Sequence, residues 1–342
     1  MGVNVSPVTS TLDHRRSAEL DGATLNGRLQ ACSLAVGEGV TAVLGSSGAG
    51  KTSLLNLLVG FEAPDEGEVT QAGKPFWVPA NFGLWHRYSV KEHLDAVGAS
   101  VADQQALLSA LGLAGTDQAR PHELSQGQQA RLSVARALLS KADWLVMDEP
   151  LVHVEPARRA MYWQVILQWL QERPLIFSSH EPETVLAVAD RVWCLHGGEL
   201  VYDGDLQALY HEPETKLLAS MLGRVNWFEP NEAEIWLGRT HGKPEAIRPE
   251  RLQISSDDQG RHHVLKSRNC GAVTETLLED AYARGRRTFV HQSTRQSLTE
   301  GMCVLIRTLV LCVVVVVLMS GCGRSDRVPS LEFSNIVTPA TA

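Results

Sequence analysis

The sequence predicts an α/β protein, in which a mainly parallel β-sheet is covered by helices and is followed by a smaller β-rich region. Three short apolar runs without polar alternation are each followed by a helix-forming segment, which is typical of strands buried on both faces of a parallel sheet. After residue 222 the pattern changes to short β-forming runs broken by Gly, Pro and charges. The 342 residues are enough for about two domains.

The composition is that of a folded protein whose surface is not suited to nucleic acid. Hydrophobic residues make up 44% and charged residues 20% of the chain, which is ordinary for a globular protein. Asp and Glu outnumber Lys and Arg by 39 to 31, so the formal net charge is −8. Because affinity for nucleic acid depends on cationic side chains, we expect no nucleic-acid partner. The six cysteines form no CxxC pair, so we expect reduced thiols in the cytoplasm.

The first apolar run, residues 40–44, is followed by a glycine-rich loop and a Leu-rich helix. Residues 45–52 match GxxxxGK[ST], in which backbone N–H groups at a helix N-terminus surround the phosphates of a nucleotide. We expect Lys51 to approach the β- and γ-phosphates and the Thr52 hydroxyl to bind Mg²⁺. The predicted nucleotide-binding residues are Gly45, Ser46, Ser47, Gly48, Ala49, Gly50, Lys51, Thr52 and Ser53.

Two later apolar runs lead into polar side chains that suit hydrolysis. The run Trp144–Met147 is followed by Asp148 and Glu149, and the run Leu175–Ser178 is followed shortly by His180. At the end of a strand beside the phosphate-binding loop, Asp148 would orient Mg²⁺ through its water shell. We expect Glu149 to polarise an attacking water and His180 to sense a γ-phosphate.

The segment PHELSQGQQARLSVARAL, residues 121–138, indicates which class of nucleotide hydrolase this is. Read alone, Ser125 is a helix N-cap and the rest is an ordinary amphipathic helix. Between the phosphate-binding loop and the Asp148 strand, however, it resembles the LSGGQ-like signature of the ATP-binding subunits of ABC transporters. The predicted signature residues are Leu124, Ser125, Gln126, Gly127 and Gln128. The resemblance covers residues 20–222 and implies an ABC-type P-loop nucleotide-binding domain.

That resemblance implies ATP and Mg²⁺ as ligands and ATP hydrolysis as the activity. It implies a head-to-tail dimer, in which Ser125 and the Gly127 backbone bind the γ-phosphate held by a second copy of the chain. A helix N-terminus favours such an anion, because its N–H groups are free and its dipole is positive there. The resemblance further implies an integral membrane permease, a substrate-binding protein and a peripheral position on the cytoplasmic face of the inner membrane.

The sequence departs from the family's pattern in three places. Residues 1–60 contain no Phe, Tyr or Trp, whereas the family has an aromatic residue there that stacks on adenine. We therefore expect either weak base discrimination or stacking by a non-aromatic side chain. Ala80 stands where the family has a glutamine that links the nucleotide site to the transport partner, so coupling either runs through the backbone or is weakened. The nearby apolar Phe82 and Trp85 belong to the segment that lines the partner-docking groove in the family. Glu155 replaces the family's Asp in the loop after Glu149.

The β-rich region contains the runs EAEIWL, RLQIS, HHVLK and RRTFVHQ, which predict short strands. Its segment AIRPERLQIS resembles the accessory β-barrel domain, of the oligonucleotide/oligosaccharide-binding type, that is attached to importer ATPases. The phosphate-binding region is most similar to molybdate importers. We therefore expect a subunit that powers solute import, with molybdate or a related oxyanion as the solute. An exporter ATPase and an ABC ATPase that acts on DNA or ribosomes stay as alternatives.

The sequence thus predicts three parts: the ATP-binding domain at 1–222, the β-barrel domain at 223–301 and a terminal segment at 302–342. The terminal segment contains the apolar run Leu309–Met319, which as a helix would span about 17 Å, well short of a bilayer core. The sequence LMSGC, which ends at Cys322, resembles a lipoprotein cleavage site. Three interpretations stay open: a last barrel strand, a short membrane anchor, or the start of a neighbouring lipoprotein fused in frame.

Overall fold

The computed structural model divides the chain into two compact units, residues 1–214 and 215–342. This division falls before the boundary at residue 222 that the sequence predicts. The described residues are 17–239, 242–283, 285–293 and 297–309.

The first unit contains one three-stranded and one six-stranded sheet with helices between the strands. Its strands are β1 (Ala18–Leu25), β2 (Leu29–Val36), β3 (Val40–Leu44), β4 (Glu66–Gln71), β5 (Pro75–Val78), β6 (Trp144–Asp148), β7 (Leu175–Ser178), β8 (Arg191–His196) and β9 (Glu199–Asp205). Its helices are α1 (Lys51–Leu58), α2 (Val90–Asp95), α3 (Val101–Ala110), α4 (Gln126–Leu139), α5 (Pro156–Leu170), α6 (Pro182–Val188) and α7 (Leu206–His211). A short 3₁₀ helix at Pro121–Glu123 precedes α4.

The three apolar runs form neighbouring parallel strands, as predicted. The six-stranded sheet has the order β5-β6-β7-β3-β8-β9, and only β9 is antiparallel to its neighbour. All residues of β3, β6 and β7 are buried, which explains why their sequences show no polar alternation. Asp148 of β6 and Val43 of β3 both pair with Ser178 of β7. The carboxyl ends of these strands therefore meet at one edge of the sheet, where the predicted catalytic side chains follow.

The antiparallel sheet, in the order β2-β1-β4, packs against α1 and holds it on the main sheet. Alternate side chains of β1 point inward, among them Leu20 and Leu25. They share one apolar cluster with Leu55 and Leu58 of α1 and with Trp193 of β8. Because full burial of a leucine stabilises a fold by about 2 kcal/mol, this cluster fixes the helix that begins at the glycine-rich loop.

The second unit is mainly antiparallel β-structure. Its strands are β10 (Asn226–Phe228), β11 (Glu245–Ile247), β12 (Leu252–Ser256), β13 (His262–Asn269), β14 (Val273–Asp280), β15 (Arg286–Gln292) and β16 (Cys303–Thr308), and its helices are α8 (Lys216–Met221) and α9 (Pro230–Leu237). The five longer strands form a sheet in the order β12-β16-β13-β14-β15. Strand β16 thus belongs to this sheet, although the sequence division places residues from 302 onward in a separate segment.

One expected strand of the second unit is a helix. The run EAEIWL lies in α9, so the prediction of a strand there is wrong. Pro230 occupies the first turn of α9, and the Glu229 and Glu232 side chains form a capping box at its start. Gly238 ends the helix in the left-handed conformation. These local start and stop signals outweigh the β-propensity of Ile235 and Trp236.

The five-stranded sheet is curved, but its closure into a barrel stays a prediction. Its edge strands β12 and β15 approach one another. No hydrogen-bonded ladder joins those two strands within the described residues. Phe228, Phe289 and Leu278 pack in the core of this unit.

The apolar run of the terminal segment lies, from residue 310 onward, outside the described residues. The three interpretations of LMSGC and Cys322 fall there as well. Among the residues that are described, no helix is both long and apolar enough to cross a membrane.

Candidate active site

The glycine-rich loop connects β3 to α1 and is shaped so that only glycine fits at key positions. Gly48 and Gly50 have φ angles of 79° and 100°, in the left-handed region that side chains disfavour. A Cβ at Gly45 would lie 2.6 Å from the Leu195 carbonyl oxygen, and one at Gly50 would lie 2.8 Å from that of Arg28. The loop is therefore a tight cradle of backbone at the start of a helix, which suits phosphate oxygens.

The two side chains expected to contact phosphate and Mg²⁺ lie at the start of α1. The Lys51 ammonium donates to the carbonyl oxygens of Gly45 and Ser46 at 2.8 and 3.2 Å, so it lies over the loop. The Thr52 hydroxyl donates to Asp148 Oδ2 at 2.7 Å. A hydroxyl and a carboxylate are oxygen donors of the kind that Mg²⁺ prefers, so the pair fits this ion. Ser53, in the same first turn, is buried.

A buried serine joins the two carboxylate residues at the end of β6. The Ser178 hydroxyl donates to Asp148 Oδ1 and accepts from the Glu149 backbone N–H at 3.0 Å. Ser178 is completely buried, and Asp148 is nearly so. This hydroxyl therefore orients Asp148 from the side opposite to Thr52. Ser178 is not among the site residues that the sequence predicts, although the SSH sequence places it two residues before His180.

The structure brings the two predicted catalytic side chains together. His180 Nδ1 lies 2.7 Å from Glu149 Oε2, and the imidazole is half exposed. Glu149 has a φ of 52°, a conformation that is rare for residues other than glycine and that persists only where its surroundings hold it. The Glu149 backbone is therefore held at the carboxyl end of β6, from which its carboxylate contacts His180.

The signature segment forms the exposed N-terminus of α4. The Ser125 hydroxyl accepts from the Gln128 backbone N–H at 3.2 Å, and Gln128 Oε1 accepts from the Ser125 N–H at 2.9 Å, which is a capping box. Ser125 and Gln126 are exposed, whereas Leu124 is buried. A Cβ at Gly127 would lie 2.9 Å from the His153 carbonyl oxygen, so glycine permits the helix start to pack on the loop after Glu149.

Arg136 of α4 holds the loop that carries Ala80. The Arg136 side chain is buried. Its Nη1 donates to the Gly83 carbonyl oxygen at 2.8 Å, and its guanidinium lies 4.4 Å from the centre of the Trp85 ring. Phe82, which directly precedes Gly83, packs its ring edge-on against the His153 ring at 5.5 Å.

A neutral histidine supports the same loop. His93 Nδ1 lies 2.8 Å from the Ser89 carbonyl oxygen, and Nε2 accepts from the Trp85 backbone N–H at 2.9 Å. Since Nε2 accepts, the imidazole carries its single proton on Nδ1. Burial lowers the pKa of His93, and the nearby Arg136 guanidinium lowers it further. The histidine therefore stays neutral near physiological pH.

The fold and the site together define a P-loop ATPase of the ABC class, and comparison with known proteins agrees. The family model described as ABC transporter matches residues 29–152. The chain is 30% identical over 310 residues to the Fe(3+) ions import ATP-binding protein FbpC of Pseudomonas fluorescens, covering 79% of this chain and 89% of that protein. It is 32% identical over 206 residues to the molybdenum import ATP-binding protein ModC of Paramagnetospirillum magneticum, covering 53% and 56% of the two chains.

A solved structure shows the same fold. The ATP-binding subunit of an ABC transporter matches with a TM-score of 0.52 and 20% identity, over 57% of this chain and 92% of that one. This chain therefore belongs to the ATP-binding subunits of ABC transporters, and its relatives are import ATP-binding proteins. It is an ATPase.

Proposed function

We propose that the chain is the ATP-hydrolysing subunit that powers solute import through an integral membrane permease. The observation that carries this proposal is the cluster at the edge of the main sheet. Thr52, Asp148 and Ser178 are linked there by hydrogen bonds, and Glu149 and His180 lie 2.7 Å apart beside them. This arrangement supports metal-assisted phosphoryl transfer to water.

In the proposed mechanism, the backbone N–H groups of residues 45–53 hold the phosphates of ATP, and Lys51 adds a positive charge. Thr52 and Asp148 would hold Mg²⁺, which when bound neutralises negative charge on the phosphates. The Glu149 carboxylate orients the attacking water and accepts its proton. His180 Nδ1–H keeps the Glu149 carboxylate in place, and the same ring would donate a hydrogen bond from Nε2 to the γ-phosphate as the imidazolium, in which both nitrogens carry a proton.

The exposed start of α4 supports a dimer in which each copy completes the site of the other. Ser125 and Gln126 are exposed at the surface of this chain. The capping box occupies the N–H groups of Ser125 and Gln128, which leaves those of Gln126 and Gly127, together with the positive end of the helix dipole, for an anion. We therefore propose a head-to-tail dimer of two copies that closes on ATP and opens after hydrolysis.

The permease would dock on the loop that follows β5. Trp85 and Tyr88 of this loop are 44% and 45% exposed, and their rings contact one another at 5.1 Å. Two large exposed aromatic side chains in one loop are typical of an interaction surface. Docking there, together with a substrate-binding protein outside the membrane, would place the chain as a peripheral subunit on the cytoplasmic face of the inner membrane.

For the solute we propose molybdate or a related oxyanion. The similarity to the ModC relative supports this choice. The FbpC relative is named for Fe(3+) ions. Transport of ferric ion in place of molybdate would therefore contradict this choice of solute.

The experiment measures vanadate-sensitive ATPase activity of the wild-type protein, Glu149→Gln and Ser125→Ala. We expect both variants to lose nearly all turnover, and we expect the Glu149→Gln protein with Mg-ATP to form dimers in size-exclusion chromatography. A strictly monomeric Glu149→Gln protein, or full turnover without Ser125, would contradict the dimer. Transport of molybdate, tungstate and ferric ion by vesicles that contain the chain and its permease then identifies the solute.

A further inference from the structure

One arginine outside the predicted catalytic set connects two segments of the candidate active site. Arg159 lies in the first turns of α5, and its side chain is only 17% exposed. Its Nε donates to the Val154 carbonyl oxygen at 2.8 Å, and its Nη2 donates to that of Val152 at 3.3 Å. Its Nη1 pairs with the Glu181 carboxylate. All three nitrogens of the guanidinium are therefore used.

The two carbonyl oxygens belong to the loop at residues 150–155, which leads from the Glu149 end of β6 to α5. This loop is a series of tight turns, in which Val152 N–H donates to the Glu149 carbonyl oxygen at 3.2 Å and Val154 N–H donates to that of Leu151 at 3.0 Å. The positive φ of Glu149 begins this series. Because such a conformation relaxes unless its surroundings hold it, the contacts of the loop determine where the Glu149 carboxylate points.

The carboxylate contact of Arg159 reaches the other catalytic segment. Glu181 directly follows His180, and its backbone N–H donates to the Ser179 hydroxyl at 3.0 Å. Its second carboxylate oxygen accepts from the Thr184 hydroxyl at 3.1 Å. An ion pair to Glu181 therefore restrains the backbone that positions the His180 imidazole.

The chemistry of the guanidinium explains why an arginine is needed. Its planar group offers five N–H donors in a fixed geometry, so it can hold two carbonyl groups and a carboxylate at the same time. A lysine offers a single ammonium on a flexible stem. The residues around Arg159 also line a small cavity with Glu149, Ser179 and Glu181, so the loop has space into which it can shift when the guanidinium is removed.

We propose that Arg159 is a positioning residue for ATP hydrolysis. It fixes the 150–155 loop and the segment after β7 in one geometry, so that Glu149 and His180 keep their 2.7 Å contact. It acts through these residues, because its hydrogen bonds go to Val152, Val154 and Glu181. The proposal rests on the proposed roles of Glu149 and His180, and it is independent of the transported solute.

The test is the steady-state ATPase activity of the full chain. We expect Arg159→Gln to lower kcat by about 10- to 100-fold, because small displacements of catalytic groups cost that much. The KM for ATP and the affinity for a fluorescent ATP analogue should change by less than about twofold, since the phosphate-binding loop is intact. Arg159→Lys should recover part of kcat, because an ammonium can still pair with Glu181.

A double-mutant cycle measures the connection itself. Glu181→Gln removes the charge of one contact and should lower kcat less than Arg159→Gln does. In the double variant the two losses should not multiply, because both changes disrupt the same link. Fully multiplicative losses would mean that Arg159 and Glu181 act separately, which would overturn the proposal.

Two other arginines are matched controls. The Arg158 side chain is exposed and forms a 3.6 Å ion pair with the exposed Glu155, so Arg158→Gln should leave kcat unchanged. Arg173, at the opposite end of α5, donates to carbonyl oxygens at the ends of two helices, so Arg173→Gln should lower the Tm without lowering kcat. The acceptors of Arg173 are Leu138, Ser140, Trp169 and Leu170.

The outcomes separate this proposal from the proposed function. If Glu149→Gln keeps its turnover, the catalytic assignment itself is wrong. If Glu149→Gln is inactive but Arg159→Gln and Arg159→Lys lower only the Tm, as Arg173→Gln should, then Arg159 is a structural contact alone and the positioning role is refuted. If Arg159→Gln does not fold, Arg159→Lys is compared with Arg158→Gln instead. A lower kcat for Arg159→Lys supports the positioning role, and an equal kcat refutes it.

Discussion

Replacing Ser178 with alanine tests whether one hydroxyl holds the acidic end of β6. The hydroxyl is fully buried, donates to Asp148 Oδ1 and accepts from the Glu149 N–H at 3.0 Å. Loss of a hydrogen bond to a charged group costs about 1.5–3 kcal/mol, and a buried N–H without a partner costs about 1–3 kcal/mol. Because the two losses share one atom and are not additive, we expect the free energy of unfolding to fall by about 3 kcal/mol.

The assay is urea denaturation, followed by the fluorescence of the tryptophans buried in the first unit, such as Trp144 and Trp193. Ser133→Ala is the matched control, because Ser133 is equally buried but donates only to the neutral Ala130 carbonyl oxygen within α4, at 2.8 Å. That bond should be worth about 1 kcal/mol or less. Equal destabilisation by the two substitutions would refute the special role of Ser178. We also expect Ser178→Ala to lower kcat, since the Glu149 backbone loses its anchor.

Buried side chains and the missing aromatic residue give three further tests. The pKa of His93 lies below its ordinary value of 6.5, mainly because of burial, so only the unfolded chain gains a proton near that pH. The free energy of unfolding should therefore fall as the pH drops below about 6.5, and urea titrations should show a weaker pH dependence for His93→Gln. The same pH dependence in both proteins would contradict this role of His93. Burial raises the pKa of Cys32 and Cys194 to about 12, so neither thiol should react with an alkylating reagent in the native protein at about pH 8. Mass spectrometry should find both thiols alkylated only when the protein is unfolded in urea, and rapid alkylation of the native protein would contradict this. Residues 1–60 lack an aromatic side chain, so ATP and GTP should have similar kcat/KM values, and strong ATP selectivity would disprove weak base discrimination.

The edge of the sheet where the candidate site lies was predictable because its signals are local. A continuous apolar run before a glycine-rich loop needs no distant information to be recognised as a buried strand, and β3, β6 and β7 are such runs. Their parallel pairing then places Asp148, Glu149 and His180 at one edge. In the second unit the strand signal is weaker, and the predicted strand at EAEIWL is a helix whose start and end are set by Glu229, Pro230 and Gly238.

The contacts that hold the site were not predictable, because they join segments that are far apart in the chain. Nothing near Arg136 in the sequence indicates that its guanidinium lies on Trp85 and donates to the Gly83 carbonyl oxygen. Arg159 likewise looks like an exposed helical residue beside Arg158, yet only Arg159 turns inward. The sequence pattern of a helix does not show whether a cationic side chain points into solvent or towards a carbonyl group of a distant segment. Only the packing of helices on the sheet decides which arginine is desolvated, and a desolvated guanidinium must then find acceptors for its N–H groups.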